Sequence, residues 1–249
     1  MQLPEVTDDL LAFIDASPTP YHAVREAAAR LLGRGFTPAS DAEPGPLPPA
    51  GVIVRGGSLV AWRLGAGAPR AGFRVIGAHT DSPNLRVKPR PDTGSAGFRQ
   101  LGVEPYGGLL ANTWLDRDLV LAGRVVVERE GALVERLVRL DDPVIRIPQL
   151  AIHLDRDIRE KGLLLNAQDH LSPVLGPGQQ QEGAFRSLLA DALGAADEAI
   201  RGWDMMCADR QPSARVGSGT MLSAPRIDNL VSCHAAVRAL AGTTEAEHT

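Results

Sequence analysis

Cysteine is scarce in this chain. Cys207 and Cys233 are the only two in 249 residues, and they fall in no CxxC pattern. Two lone cysteines fit a reducing cytoplasm better than a disulfide scaffold. No apolar run approaches the roughly 20 residues of a membrane span, so no membrane partner is expected. No basic block points to nucleic acid, and no long single-sign tail points to an interaction arm. The first residues carry Glu5, Asp8, Asp9 and Asp15, unlike the positively charged start of a secretory signal. Internal repeats and low-complexity tracts are absent as well. What remains has the composition of an ordinary globular protein: 44% hydrophobic, 22% charged, net charge −4. A chain of this length buries roughly 70–75% of its unfolded surface, enough for one large core or two modest ones.

The pattern along the chain suggests two kinds of structure. Thr7-Asp8-Asp9 ahead of Leu10, Leu11, Phe13 and Ile14 reads as a capped amphipathic helix that stops before Ser17-Pro18. A second helix is predicted from about Tyr21 to Leu32, ended by Gly33 and Gly35. Five prolines make residues 38–50 a loop, and Gly56-Gly57 joins a hairpin of Val52–Val54 and Ser58–Leu64. Val75, Ile76 and Ala78 suit a buried strand over residues 73–78. Residues 84–148 then alternate in short runs separated by turns at Gly107-Gly108, Gly123 and Glu130-Gly131, the pattern of antiparallel strands. Helical periodicity is read over 149–161 and 182–200, a strand around Trp203–Ala208, and a final helix over Leu230–Leu240. The implied fold is α/β, interrupted by a β-rich insert.

Two loops carry residues suited to metal chemistry. His79-Thr80-Asp81 follows the 73–78 strand and is stopped by Pro83. Open α/β sheets bind ligands at the carboxyl ends of their strands. A neutral imidazole is a common metal ligand, and a nearby carboxylate fixes its tautomer, a role open to Asp81. A turn with a polar His and a capping Asp fits the same tripeptide. Asp228, just ahead of the last helix, is read either as an N-cap or as a second metal donor. A His and a carboxylate on two such loops suit zinc or cobalt. The other histidines, His22, His170, His234 and His248, are read as turn, loop, helix and chain-end residues.

Beyond these residues, longer segments resemble a known family. Ala78-His79-Thr80-Asp81-Ser82-Pro83 and Ala224-Pro225-Arg226-Ile227-Asp228-Asn229-Leu230 look like two signatures of the aspartyl aminopeptidases, cytoplasmic dinuclear zinc exopeptidases. Asp9 through Val24, Arg55-Gly56-Gly57-Ser58-Leu59, Trp114 through Leu119 and Arg146 through Leu154 match as well, in order. The resemblance implies a split α/β zinc-peptidase domain, three-layered with a mixed sheet. Its first part would span residues 1–87, an inserted β-rich dimerisation domain 88–200, and the start of its second part 201–249. It implies two zinc ions, with His79 as a ligand, Asp81 orienting it and Asp228 bridging both metals. His153 is implied to contact substrate in a neighbouring subunit's site, or alternatively to bind metal. Gln149 stands where the family often has a histidine. Peptide substrates with N-terminal Asp or Glu and a homodimer or larger homo-oligomer follow from the same resemblance.

By that comparison the chemistry is incomplete. The family's general base is the first Glu of a Glu-Glu pair, and no Glu-Glu dipeptide occurs in these 249 residues. A further Asp ligand and a His ligand are also unmatched. The expectation is therefore the front portion of a longer enzyme, lacking the C-terminal part of the peptidase domain and inactive alone. The other reading is a non-catalytic remnant acting as an interaction module through the β-rich domain.

Overall fold

The computed structural model describes residues 3–42, 45–65 and 72–243. In chain order the first elements are α1 (Leu3–Asp15), α2 (Pro20–Leu32), β1 (Thr37–Pro38), β2 (Ala50–Arg55) and β3 (Ser58–Arg63). Then come β4 (Asn84–Ser95), β5 (Phe98–Tyr106), β6 (Leu119–Arg129), β7 (Ala132–Ile145), α3 (Ile158–Lys161) and α4 (Ala167–His170). The last are β8 (Val174–Pro177), α5 (Ala184–Leu193), β9 (Ile200–Asp209), β10 (Ala214–Val216), β11 (Met221–Ser223) and α6 (Ile227–Gly242). The chain forms two compact units, residues 1–82 with 212–249 and residues 83–211. The boundaries thus fall earlier than 87/88 and later than 200/201. Hydrogen bonding sets them: β4 is in its ladder from Asn84, and β9 pairs along its length with β6. The Trp203–Ala208 strand therefore belongs to the β-rich unit, not to the segment that returns to the α/β unit.

The first unit is α/β with a mixed sheet in the order β1-β2-β3, β1 parallel and β3 antiparallel to β2. Phe13, Ile14, Ala27, Leu31, Val52, Leu230 and Val237 form its core, which joins α1, α2, β2 and α6. Each fully buried large apolar side chain there contributes roughly 1.5–3 kcal/mol. Thr19 caps α2, its side chain accepting from the His22 amide. α1 begins at Leu3, so Thr7, Asp8 and Asp9 lie inside it instead of capping it. Their carboxylates have other partners: Asp8 pairs with Arg215, and Asp9 accepts from Arg30, His234 and Arg238. This four-residue cluster ties α6 to α1 and α2.

The expected strand over 73–78 is not in any sheet among the described residues. Phe73, Val75 and Ile76 are 74%, 86% and 68% exposed. Apolar alternation makes a segment fit for a sheet, but a strand forms only where a neighbour supplies the ladder, and 73–78 pairs with none among the described residues.

The second unit is a six-stranded sheet, β7-β6-β9-β4-β5-β8. Its hairpins turn on residue pairs with positive φ: Ala96-Gly97 between β4 and β5, and Glu130-Gly131 between β6 and β7. Such two-residue turns match the twist of the flanking strands. Leu85, Leu101, Leu119, Leu121, Ile145, Phe185, Leu189 and Met205 fill its core. Gly123, expected to turn the chain, is instead a mid-strand residue of β6 paired with Met205 and Val138. A Cβ on it would lie 2.1 Å from the Asp204 carbonyl oxygen, so glycine permits the close approach of β9. The helix expected over 149–161 is reduced to the single turn of α3 after a turn at 152–154. Leu150 and Leu154 are 61% and 74% exposed, so no buried stripe supports a longer helix. Of the helix expected over 182–200, α5 is the regular part; Gly194, in the left-handed region, ends it.

Candidate metal centre

His79, Asp81 and Asp228 come together in the first unit. The Nε2 of His79 lies 3.1 Å from Oδ1 of Asp228. Its Nδ1 lies 3.0 Å from the backbone carbonyl oxygen of Asp81 and 3.4 Å from the Asp81 carboxylate. Both contacts at Nδ1 are acceptors, so a proton on Nδ1 satisfies them.

Asp228 has φ and ψ of −86° and 106°, the extended backbone of a residue at a helix boundary. Its side chain is 92% exposed and reaches past the helix to His79. Regular helix runs from Leu230, whose amide donates to the Arg226 carbonyl. On the other side, Thr80 Oγ1 donates to the Gly57 carbonyl at 2.7 Å, anchoring the His79 loop to the β2–β3 hairpin. Ser82 Oγ donates to the Asp228 carbonyl at 2.9 Å, and Cys233 Sγ to the His79 carbonyl at 3.1 Å. Neither contact is legible in the sequence.

The donor pair fits zinc in part. Two ligands of a tetrahedral zinc, each about 2.0–2.1 Å from the metal, lie about 3.3 Å apart. The observed 3.1 Å needs little adjustment. An imidazole and a carboxylate are ordinary zinc donors. Among the described residues, however, no three His, Cys, Asp or Glu side chains are gathered to hold a metal.

The remaining histidines lie elsewhere. His153 lies exposed in the 152–154 turn of the second unit. His22 is buried, with Nδ1 2.8 Å from Thr19 Oγ1. Nδ1 of His170 accepts from the Asn166 amide at 3.0 Å. His234 is buried against Phe13 and Asp9. His248, like Pro44 of the proline loop, is outside the described residues.

Comparison with known proteins decides the family. Residues 13–249 match the family model described as aminopeptidase I zinc metalloprotease (M18). The chain belongs to the M18 peptidase family. An M18 protein of Streptomyces coelicolor, named probable M18 family aminopeptidase 2, is 51% identical over 239 residues, covering 94% of this chain and 55% of that protein. A Mycobacterium leprae protein of the same name is 46% identical over 244 residues, covering 96% and 57%. The chain thus spans about half the length of the curated relatives it matches. Among M18 structures, the Chaetomium thermophilum mApe1 structure superposes with a TM-score of 0.88 at 30% identity, covering 97% of this chain and 59% of that one. A cryo-EM structure of the Ape4 and Nbr1 complex gives 0.89 at 32% identity, covering 96% and 50%. M18 enzymes are zinc hydrolases of peptide bonds, and no described helix is long and apolar enough to cross a membrane.

Proposed function

We propose that this chain carries the first metal donors of an aminopeptidase that removes N-terminal residues, preferentially Asp or Glu, from peptides using two zinc ions. The observation that carries the reading is the approach of His79 Nε2 to Asp228 Oδ1, two zinc donors at the spacing of ligands on one metal. His79 offers Nε2, Asp81 holds Nδ1–H, and Asp228 has two carboxylate oxygens, enough to serve two metals. When bound, zinc supplies a Lewis acid that polarises the peptide carbonyl and brings water toward a pKa of about 7.

The family-level assignment implies more than these residues supply. A general base must take the proton of the attacking water, and no described acid stands with His79 and Asp228 other than Asp81, which faces Nδ1. On this reading the donors described here do not by themselves make an active site. The β-rich unit serves as the dimerisation domain, with His153 reaching substrate across the interface. Leu150 and Leu154 beside His153 are exposed apolar side chains of the kind a subunit contact covers. The S. cerevesiae mApe1, to which this chain is similar, forms a dodecamer. The two cysteines are unpaired, in keeping with a cytoplasmic location. Purified chain supplemented with zinc is expected to release no Asp or Glu from N-terminally acidic peptides; release at an ordinary enzymatic rate would overturn the inactivity.

A further inference from the structure

We infer that Ser82 and Cys233 act as a reciprocal clamp that positions the metal donors His79 and Asp228. The loop that carries His79 donates, through Ser82 Oγ, to the carbonyl oxygen of Asp228 itself. The helix that carries Asp228 donates, through Cys233 Sγ, to the carbonyl oxygen of His79 itself. Each donor segment is thus held at the backbone of the other's ligand.

The clamp is needed because packing does not hold the ligands. The side chains of His79 and Asp228 are 53% and 92% exposed. The segment leading into His79 has no ladder among the described residues, and Asp228 has a non-helical backbone. By contrast Ser82 and Cys233 are 7% and 8% exposed, so their hydrogen bonds lie beneath the ligands and compete little with water. Groups behind a metal ligand commonly govern affinity by 10–100-fold without touching the metal. Neither residue touches the reacting atoms; both are positioning residues.

This inference rests on the reading of His79 and Asp228 as donors to one metal. The test is a zinc titration of the whole 249-residue chain followed by the imidazole ¹⁵N resonances of His79. It is repeated for Ser82→Ala, Cys233→Ala and Cys233→Ser, with the metal-free melting temperature of each recorded. Zinc is expected to shift His79 Nε2 in the unaltered chain. Ser82→Ala and Cys233→Ala should each weaken that response by about tenfold or more, beyond any effect on the metal-free melting temperature. Cys233→Ser retains a donor and should recover most of the affinity. Should Cys233→Ala fail to fold, Ser82→Ala carries the test alone. Unchanged affinity in Ser82→Ala and in whichever Cys233 variants fold would overturn the clamp while leaving the metal site standing. No shift of His79 in the unaltered chain would overturn the metal reading and the clamp with it.

Discussion

Replacing Asp9 by Ala should destabilise the first unit by about 2–3 kcal/mol, because it orphans one buried donor and loosens two arginines. The carboxylate of Asp9 accepts from His234 Nε2 at 2.8 Å, Arg30 Nη1 at 2.8 Å and Arg238 Nη1 at 3.1 Å. Arg30 keeps Glu26 at 2.7 Å, and both arginines retain access to water, so each lost ion pair costs about 0–1 kcal/mol. His234 is different: its side chain is 5% exposed, and water cannot replace the lost acceptor. An unsatisfied buried donor costs about 1–3 kcal/mol. Asp8, 65% exposed and paired with Arg215, is the control, and Asp8→Ala should stay within about 0.5 kcal/mol. Acidification probes the same cluster. Burial chiefly holds His234 below 6.5, with the charges of Arg30 and Arg238 adding to it and Asp9 opposing. Its contribution is therefore complete above pH 6.5 and is lost as pH falls through its native value. Burial raises the Asp9 carboxyl, but the bonds from His234 and Arg238 and the charge of Arg30 outweigh it and hold it below 3.8. That second contribution is present above pH 3.8 and disappears on further acidification. Urea denaturation followed by far-ultraviolet circular dichroism, with hydrogen exchange of the α6 amides, reads both. His234→Gln should remove the upper acid step. Equal stability losses in Asp9→Ala and Asp8→Ala, or an upper step unchanged in His234→Gln, would refute the reasoning.

Gly123→Ala forces a methyl group to within 2.1 Å of the Asp204 carbonyl oxygen, where backbone has to move. It should cost about 3 kcal/mol by thermal or urea denaturation and act on the β-rich unit. Cys207 is fully buried and its thiol is pushed up to about 12. It should resist iodoacetamide at pH 8 in the folded chain and react once the chain is unfolded in urea, as mass spectrometry of its peptide would show.

Local sequence signals carried much of the fold. The β2–β3 hairpin around Gly56-Gly57, the helix α2 and the strands before residue 148 were legible because turn residues and apolar periodicity act over a few residues. Those signals failed where the outcome depends on a partner. Residues 73–78 have the apolarity of a strand but no ladder among the described residues, and Leu150 and Leu154 stay exposed within this chain. Gly123 looks the same in sequence whether it turns the chain or admits a neighbouring strand. At the site, His79 and Asp228 stood out because their residue types carry chemistry. Ser82 and Cys233 did not, since their hydrogen bonds join residues 146 and 154 positions apart. His234 was invisible as a structural anchor for the same reason, its partner Asp9 lying 225 residues away.

The central claim is that His79 and Asp228 are donors to one zinc ion. Zinc binding to the chain and to His79→Ala and Asp228→Ala, followed by isothermal titration calorimetry, tests it most directly. Two donors predict weak binding in the unaltered chain that is lost in both variants. Zinc binding that survives both substitutions undiminished would place the metal elsewhere and contradict the account.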